Sequence, residues 1–126
     1  MQITQLNHVA IHVDDLDRSV AFYRDVLGLT LMDRPAFDFP GAWFRVGDDQ
    51  ELHLIARPPT DGDAGRSPNE RHYAFMVGDA DATAEALERA GVEFRGPRAR
   101  PDGAMQIFLR DPDGHVIELC TTPARR

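Results

Sequence analysis

The sequence predicts an α+β fold made of two βαβββ modules that form a curved mixed sheet around a central cavity. Three observations point there: an internal repeat spanning the chain, period-two alternation opening each half, and a helix signal directly after each alternating run. The 126 residues suit one compact domain. Within that domain, 1–126, the repeat places module 1 at about 1–57, a linker at 58–70 and module 2 at about 71–122.

The repeat is legible by sliding the chain on itself. Residues 8–28 read HVAIHVDDLDRSVAFYRDVLG and residues 72–91 read HYAFMVGDADATAEALERAG. An offset of 64 superposes His8 on His72, Ala10 on Ala74, Val13 on Val77, Asp15 on Asp79, Asp17 on Asp81 and Ser19 on Thr83. Gly28 and Gly91 coincide only after a one-residue slip. Further on, LHLI at 52–55 lies over IELC at 117–120, which sets His53 on Glu118. Each half thus carries a metal-ligand type of residue at its start and another near its end.

The elements follow in order. From His8 to Val13, His and Ala alternate with Val9, Ile11 and Val13, the mark of a strand with one apolar face. Asp14 and Asp15 can cap a helix running to Leu27, with Leu16, Val20, Tyr23 and Leu27 on one stripe and Gly28 at its end. Strands are predicted near 29–34, 42–47 and 51–57, with Gly47-Asp48-Asp49 as a hairpin turn. The Pro- and Gly-rich 58–70 reads as the linker. The second half repeats the plan: a strand at 72–77, a helix from Asp79 to Ala90 ending at Gly91, and strands near 92–95, 104–110 and 115–121. Turns are predicted at Arg100-Pro101-Asp102-Gly103 and Asp111-Pro112-Asp113-Gly114. A half of about 60 residues buries little alone, so the two halves are expected to share a core.

Composition excludes several classes. At 42% hydrophobic and 28% charged residues, the chain is in the globular range. No apolar run reaches the roughly 20 residues that span a bilayer, and the first residues lack a secretory signal. A single cysteine, Cys120, cannot form an internal disulfide, which suits a reducing, cytoplasmic compartment. The net charge of −7 argues against nucleic acid as a partner. All fourteen cations are Arg, so no lysine is available for Schiff-base or general-base chemistry.

Alternation also sorts the titratable residues. Val9 and Ile11, Tyr73 and Phe75, Leu52 and Leu54, and Ile117 and Leu119 are assigned to the helix side, which turns His8, His72, His53 and Glu118 to the opposite, concave face. One strand histidine is ordinarily a packed or surface residue. Two repeat-related pairs on a single face are a stronger signal, and imidazoles with a carboxylate suit a first-row divalent ion such as Mn, Fe(II), Co, Ni or Zn. His12 lies one pleat further, roughly 7 Å along the strand, and is assigned to the pocket wall. His115 is assigned to the structural side. Cys120 shares the inward face with Glu118 and is read as a small buried residue.

The strings LNHVAIHVDDLDRSVAFYRDVLGL, RHYAFMV and FLRDPDGHVIEL resemble the vicinal oxygen chelate superfamily. It includes glyoxalase I, methylmalonyl-CoA epimerase, fosfomycin-resistance thiol transferases, extradiol dioxygenases and bleomycin-resistance proteins. The resemblance covers nearly the whole chain. It implies that His8, His72 and Glu118 match the recurrent His, His, Glu metal ligands, while His53 stands where glyoxalase I carries a Glu and the epimerase a Gln. It further implies a metal acting as Lewis acid on a carbonyl or enediolate, with a nearby carboxylate moving a proton between adjacent carbons.

The expected function is therefore a divalent-metal-dependent, glyoxalase-like lyase or isomerase acting on a small oxygen-chelating substrate. Its metal residues are His8, His53, His72 and Glu118, and its catalytic residues Glu118 and His53; His53 either ligates or shuttles a proton. One alternative is a fosfomycin-resistance-like thiol transferase, for which Arg95, Arg98, Arg100, Arg125 and Arg126 supply the cations. A second is an extradiol dioxygenase, and a third a metal-free drug-binding protein using Trp43, Phe37, Phe39 and Phe44. Exposed sheet edges and the habit of relatives predict a homodimer.

Overall fold

In the structure, a computed structural model that describes residues 1–58 and 71–123, the chain divides into two units, Met1–Asp63 and Ala64–Arg126. The expected linker lies, apart from Pro58, outside the described residues, as do Arg125 and Arg126. The first unit runs β1 (His8–Val13), α1 (Leu16–Ala21) extended by a π-helical turn (Phe22–Val26), β2 (Thr30–Met32), β3 (Gly41–Val46) and β4 (Gln50–Ala56). The second runs β5 (His72–Met76), α2 (Ala80–Arg89), β6 (Phe94–Ala99), β7 (Met105–Arg110) and β8 (Val116–Cys120). Each unit is βαβββ, with a four-stranded mixed sheet, ordered β1-β4-β3-β2 in one and β5-β8-β7-β6 in the other.

In both sheets the first strand pairs in parallel with the last, and the remaining pairs are antiparallel. Ala10 stands opposite His53 on β4, and Ala74 opposite Glu118 on β8. The sequence repeat is thus a repeat of strand register. β4 and β8, which carry His53 and Glu118, lie inside their sheets, while β1 and β5 are edges.

The helices start alike and end differently. Asp15 caps α1 by accepting from the Arg18 amide at 3.1 Å, and Asp79 caps α2 by accepting from the Ala82 amide at 3.0 Å. Of the two aspartates considered for the first cap, Asp15 is the one that serves. At the end of α2 the Val92 amide donates to the Leu87 carbonyl and the Gly91 amide to the Glu88 carbonyl, the paired bonds of a Schellman closure. Gly91 sits at φ +72° there, as does Gly28 after the first helix, a backbone region costly for any residue with a Cβ.

The expected single helix to Leu27 is corrected: its second half is π-helical, with the Leu27 amide donating to the Phe22 carbonyl at 3.2 Å. The reason is the one-residue slip noted between Gly28 and Gly91. The first helix segment holds one more residue between cap and closing glycine, and a π turn absorbs one extra residue without displacing either end.

Below each sheet, the helix-facing residues form the core. Val13, Tyr23, Phe44, Leu52 and Leu54 are buried in the first unit, and Leu87, Ile107, Leu109, Ile117 and Leu119 in the second. Ser19 is as deeply buried as Tyr23, which the apolar stripe did not foretell. β2 is shorter than expected, and β6 extends to Ala99 where the sequence suggested an end at Arg95. Pro97 is tolerated because β6 is the sheet edge, and the pairing with β7 shifts register between Arg95 and Arg98. Among the described residues, no helix is long and apolar enough to cross a membrane.

Replacing Asp79 by Ala removes the side-chain acceptor that caps α2 and is expected to cost about 1 kcal/mol. Urea unfolding should show a lower midpoint with an unchanged slope.

Candidate metal centre

Because side chains alternate along each strand, the face turned from the helix in the first unit is polar and aromatic. His8 and Ala10 on β1, Glu51 and His53 on β4, and Trp43 and Arg45 on β3 share it through the pairings His8–Glu51, Ala10–His53, Trp43–His53 and Arg45–Glu51. Ala10, opposite His53 on β1, leaves room for the His8 ring, which lies over His53 with centroids 4.2 Å apart and planes 16° from parallel. On its other side His53 stacks on Trp43 at 3.9 Å and 1°. Its Nε2 donates to Glu51 Oε1 at 2.8 Å, and Arg45 Nη1 is 3.8 Å from Glu51 Oε2. His8 Nδ1 donates to Asn7 Oδ1 at 2.7 Å.

The second unit places a carboxylate where the first has an imidazole. Glu118 is only 6% exposed, with Ala74 opposite it on β5 and Phe108 on β7. Gln106 Nε2 donates to Glu118 Oε1, and His72 Nε2 stands 3.9 Å from Glu118 Oε2. Phe108 meets the His72 ring edge-on at 6.0 Å. Cys120, two residues beyond Glu118, has its thiol pKa raised, first by burial and then by the Glu118 charge; it is a poor nucleophile there.

His8 and His53 are thus paired in one unit, and His72 and Glu118 in the other. Among the described residues, no group of three or more His, Cys, Asp or Glu stands ready to hold a metal ion. His12 is half-buried beside Ile55 on β4. His115 is buried, and its amide donates to Asp111 Oδ1 at 2.9 Å within the turn before β8. The four aromatic residues considered for a pocket separate. Phe44 is fully buried in the core against Tyr23, because it alternates with Trp43. Phe37 and Phe39 are exposed and stacked at 5.3 Å, with Phe37 6.0 Å from Trp43.

Sequence reasoning missed Asn7, Glu51 and Gln106 as partners of the candidate residues. Glu51 was within reach, since two residues before His53 on a strand is the same face. Gln106 was not, because only the β7–β8 register brings it beside Glu118.

A family model described as the glyoxalase/bleomycin resistance protein/dioxygenase superfamily matches residues 5–119. The chain belongs to this superfamily. Within it, a glutathione transferase, FosA, from Serratia marcescens is 36% identical over 126 residues, covering 93% of this chain and 80% of that protein. A lactoylglutathione lyase from Haemophilus influenzae is 32% identical over 124 residues, covering 91% and 90%. Among solved structures, a glyoxalase family protein from Bacillus anthracis superposes with a TM-score of 0.82 at 27% identity, covering 97% of this chain and 98% of that one.

For a superfamily metal, the second unit's pair fits. A separation of 3.9 Å between His72 Nε2 and Glu118 Oε2 is spanned by two bonds of about 2.0–2.2 Å to one ion at a wide angle. Gln106 occupies Oε1 and leaves Oε2 for that ion. Asn7 fixes the His8 ring in the tautomer whose Nε2 carries the lone pair, the usual arrangement in which a neighbour orients a ligating imidazole.

Replacing Gln106 by Leu leaves a buried carboxylate oxygen without its donor and is expected to cost about 1–3 kcal/mol. Adding Glu118→Leu should recover much of that loss, since removing both partners removes the unmet group. Chemical denaturation of the single and double variants would read this.

Proposed function

We propose that the protein is a divalent-metal-dependent, glyoxalase-like enzyme that moves a proton between adjacent carbons of a small substrate held through one or two oxygens. The observation that carries the reading is Glu118: buried, tied through Oε1 to Gln106, and aimed through Oε2 at His72. An acid side chain is seldom buried unless it has work or a partner. The ion would be Ni, Co, Zn, Mn or Fe, held by His8, His72 and Glu118 with His53 as the fourth candidate. When bound it supplies a Lewis acid for a substrate oxygen.

The chain's own groups do the remaining work. A carbon acid next to a carbonyl gives its proton to Glu118 or His53, and the same group returns it to the neighbouring carbon. Trp43 and Phe108 flank the polar residues on their own sheets. The single cysteine, Cys120, is free, which supports a reducing, cytoplasmic compartment. The edges at β1, β2, β5 and β6 support a homodimer, which light scattering would test.

A second reading, thiol transfer to a phosphonate of the fosfomycin type, is favoured by Arg95 and Arg98. Register sets Arg95 opposite Phe108 and Arg98 opposite Gln106, in line with Glu118 and Cys120 on β8. Arg100, also considered for this role, is committed to Asp102, with Nε 3.0 Å from Oδ1.

Protein purified without chelator or histidine tag is expected to carry about one divalent ion per chain. His72→Ala and Glu118→Ala should each lose the ion while circular dichroism stays unchanged; full metal content in both would overturn the site. Incubation with glutathione and methylglyoxal, or with glutathione and fosfomycin, distinguishes proton transfer from thiol addition.

A further inference from the structure

We infer that His53 stands outside the metal's ligand set, and that Glu51 is a positioning residue which, with Trp43, holds this imidazole for hydrogen-bonding or proton exchange with the substrate. The inference deepens the metal-dependent reading above and rests on it.

The lone pair of an imidazole nitrogen lies in the plane of its ring, so an ion bound by two imidazoles lies close to both planes. The rings of His8 and His53 are nearly parallel, 16° apart, with centroids 4.2 Å from one another. Planes so arranged do not meet within a metal–nitrogen bond of about 2.0–2.1 Å from both rings. One of the two must therefore turn, or only one of them ligates.

The neighbours decide which. His8 is on an edge strand and exposed; its Nδ1 is held by Asn7, and Nε2 is left with the lone pair. His53 is held on three sides. Trp43 lies flat against one face at 3.9 Å, His8 against the other at 4.2 Å, and Glu51 accepts from Nε2 in the ring plane at 2.8 Å. Its side chain is 12% exposed, against 30% for that of His72.

Turning the His53 ring would break the stack on Trp43 and strip Glu51 of its donor. Glu51 is itself only 17% exposed at the side chain, so it would be left largely buried without that donor. Turning His8 costs its exposed contact to Asn7 and its stack on His53, and leaves the hold of Trp43 and Glu51 on His53 intact. A carboxylate accepts and cannot donate when ionised, so Glu51 fixes the hydrogen of neutral His53 on Nε2. That leaves Nδ1 as the basic nitrogen, suited to accept from a substrate hydroxyl or acidic C–H.

The test uses the full chain at one neutral pH, with zinc as the probe. Competition with a chromogenic chelator measures zinc affinity in wild type, Glu51→Gln, His53→Gln and His8→Gln. Affinity in the Glu51 and His53 variants should stay within a few-fold of wild type, while His8→Gln loses most of it. If His53 were a ligand, loss of its carboxylate partner alone would lower affinity about 10- to 100-fold; that result would overturn the inference.

Nitrogen-15 NMR of the imidazoles supplies a signature independent of activity. His53 should show the Nε2–H tautomer without zinc, keep it when zinc is added, and lose its preference in Glu51→Gln. A metal-coordinated shift at either His53 nitrogen would refute the proposal. Failure of wild type to bind any of the divalent ions would instead overturn the metal-dependent reading. The tautomer and its dependence on Glu51, read without metal, would still test the clamp.

Discussion

The parallel pairing of first and last strands is the constraint on which the remainder of each unit rests. β1 on β4 and β5 on β8 require a crossover, and the helix with the two intervening strands supplies it. Once that pairing is made, alternation does the sorting. One set of side chains, Ile11, Leu52 and Leu54 or Ile117 and Leu119, goes beneath the helix and is buried. The other set puts each unit's candidate ligands, His8 and His53 or His72 and Glu118, on one face of its own sheet. A slip of one residue in either pairing would exchange the sets and put imidazoles and a carboxylate into the apolar core.

The repeat explains how much of this could be read from residues alone. Two alternating runs, two aspartate caps and two closing glycines identify the βαβββ plan, because each is a local signal with a single structural use. The one-residue slip at Gly28 was visible too, but its outcome was not. An extra residue between cap and glycine can loop out, lengthen the helix or widen it into a π turn, and only packing around Tyr23 and Ser19 chooses among these. Similarly, Phe44 and Trp43 are neighbours of similar character in the sequence, and register alone sends one to the core and the other onto His53.

Partners of the candidate residues divide by the same criterion. Glu51 was legible, since alternation along one strand puts it beside His53. Gln106 required knowledge of which residue on β7 stands near Glu118, a non-local fact that no period reveals. The polar face therefore could be named strand by strand, while its hydrogen bonds could not. Those bonds matter because they give each titratable group a direction: Asn7 turns His8, Glu51 holds His53, and Gln106 orients Glu118.

Comparing the two units shows what a single substitution at a repeat-related position changes. His53 and Glu118 occupy the same place in the same register, each opposite an alanine and beside an aromatic residue, Trp43 or Phe108. At position 118 a flexible carboxylate can offer one oxygen to Gln106 and the other toward His72. At position 53 a flat ring finds an indole on one side and another imidazole on the other, and stacking becomes the dominant contact. The first arrangement sets Glu118 Oε2 3.9 Å from His72 Nε2. The second sets two lone pairs in separate, nearly parallel planes. The same strand pairing thus supports an imidazole–carboxylate pair in one unit and a stacked pair in the other, and the difference follows from side-chain shape.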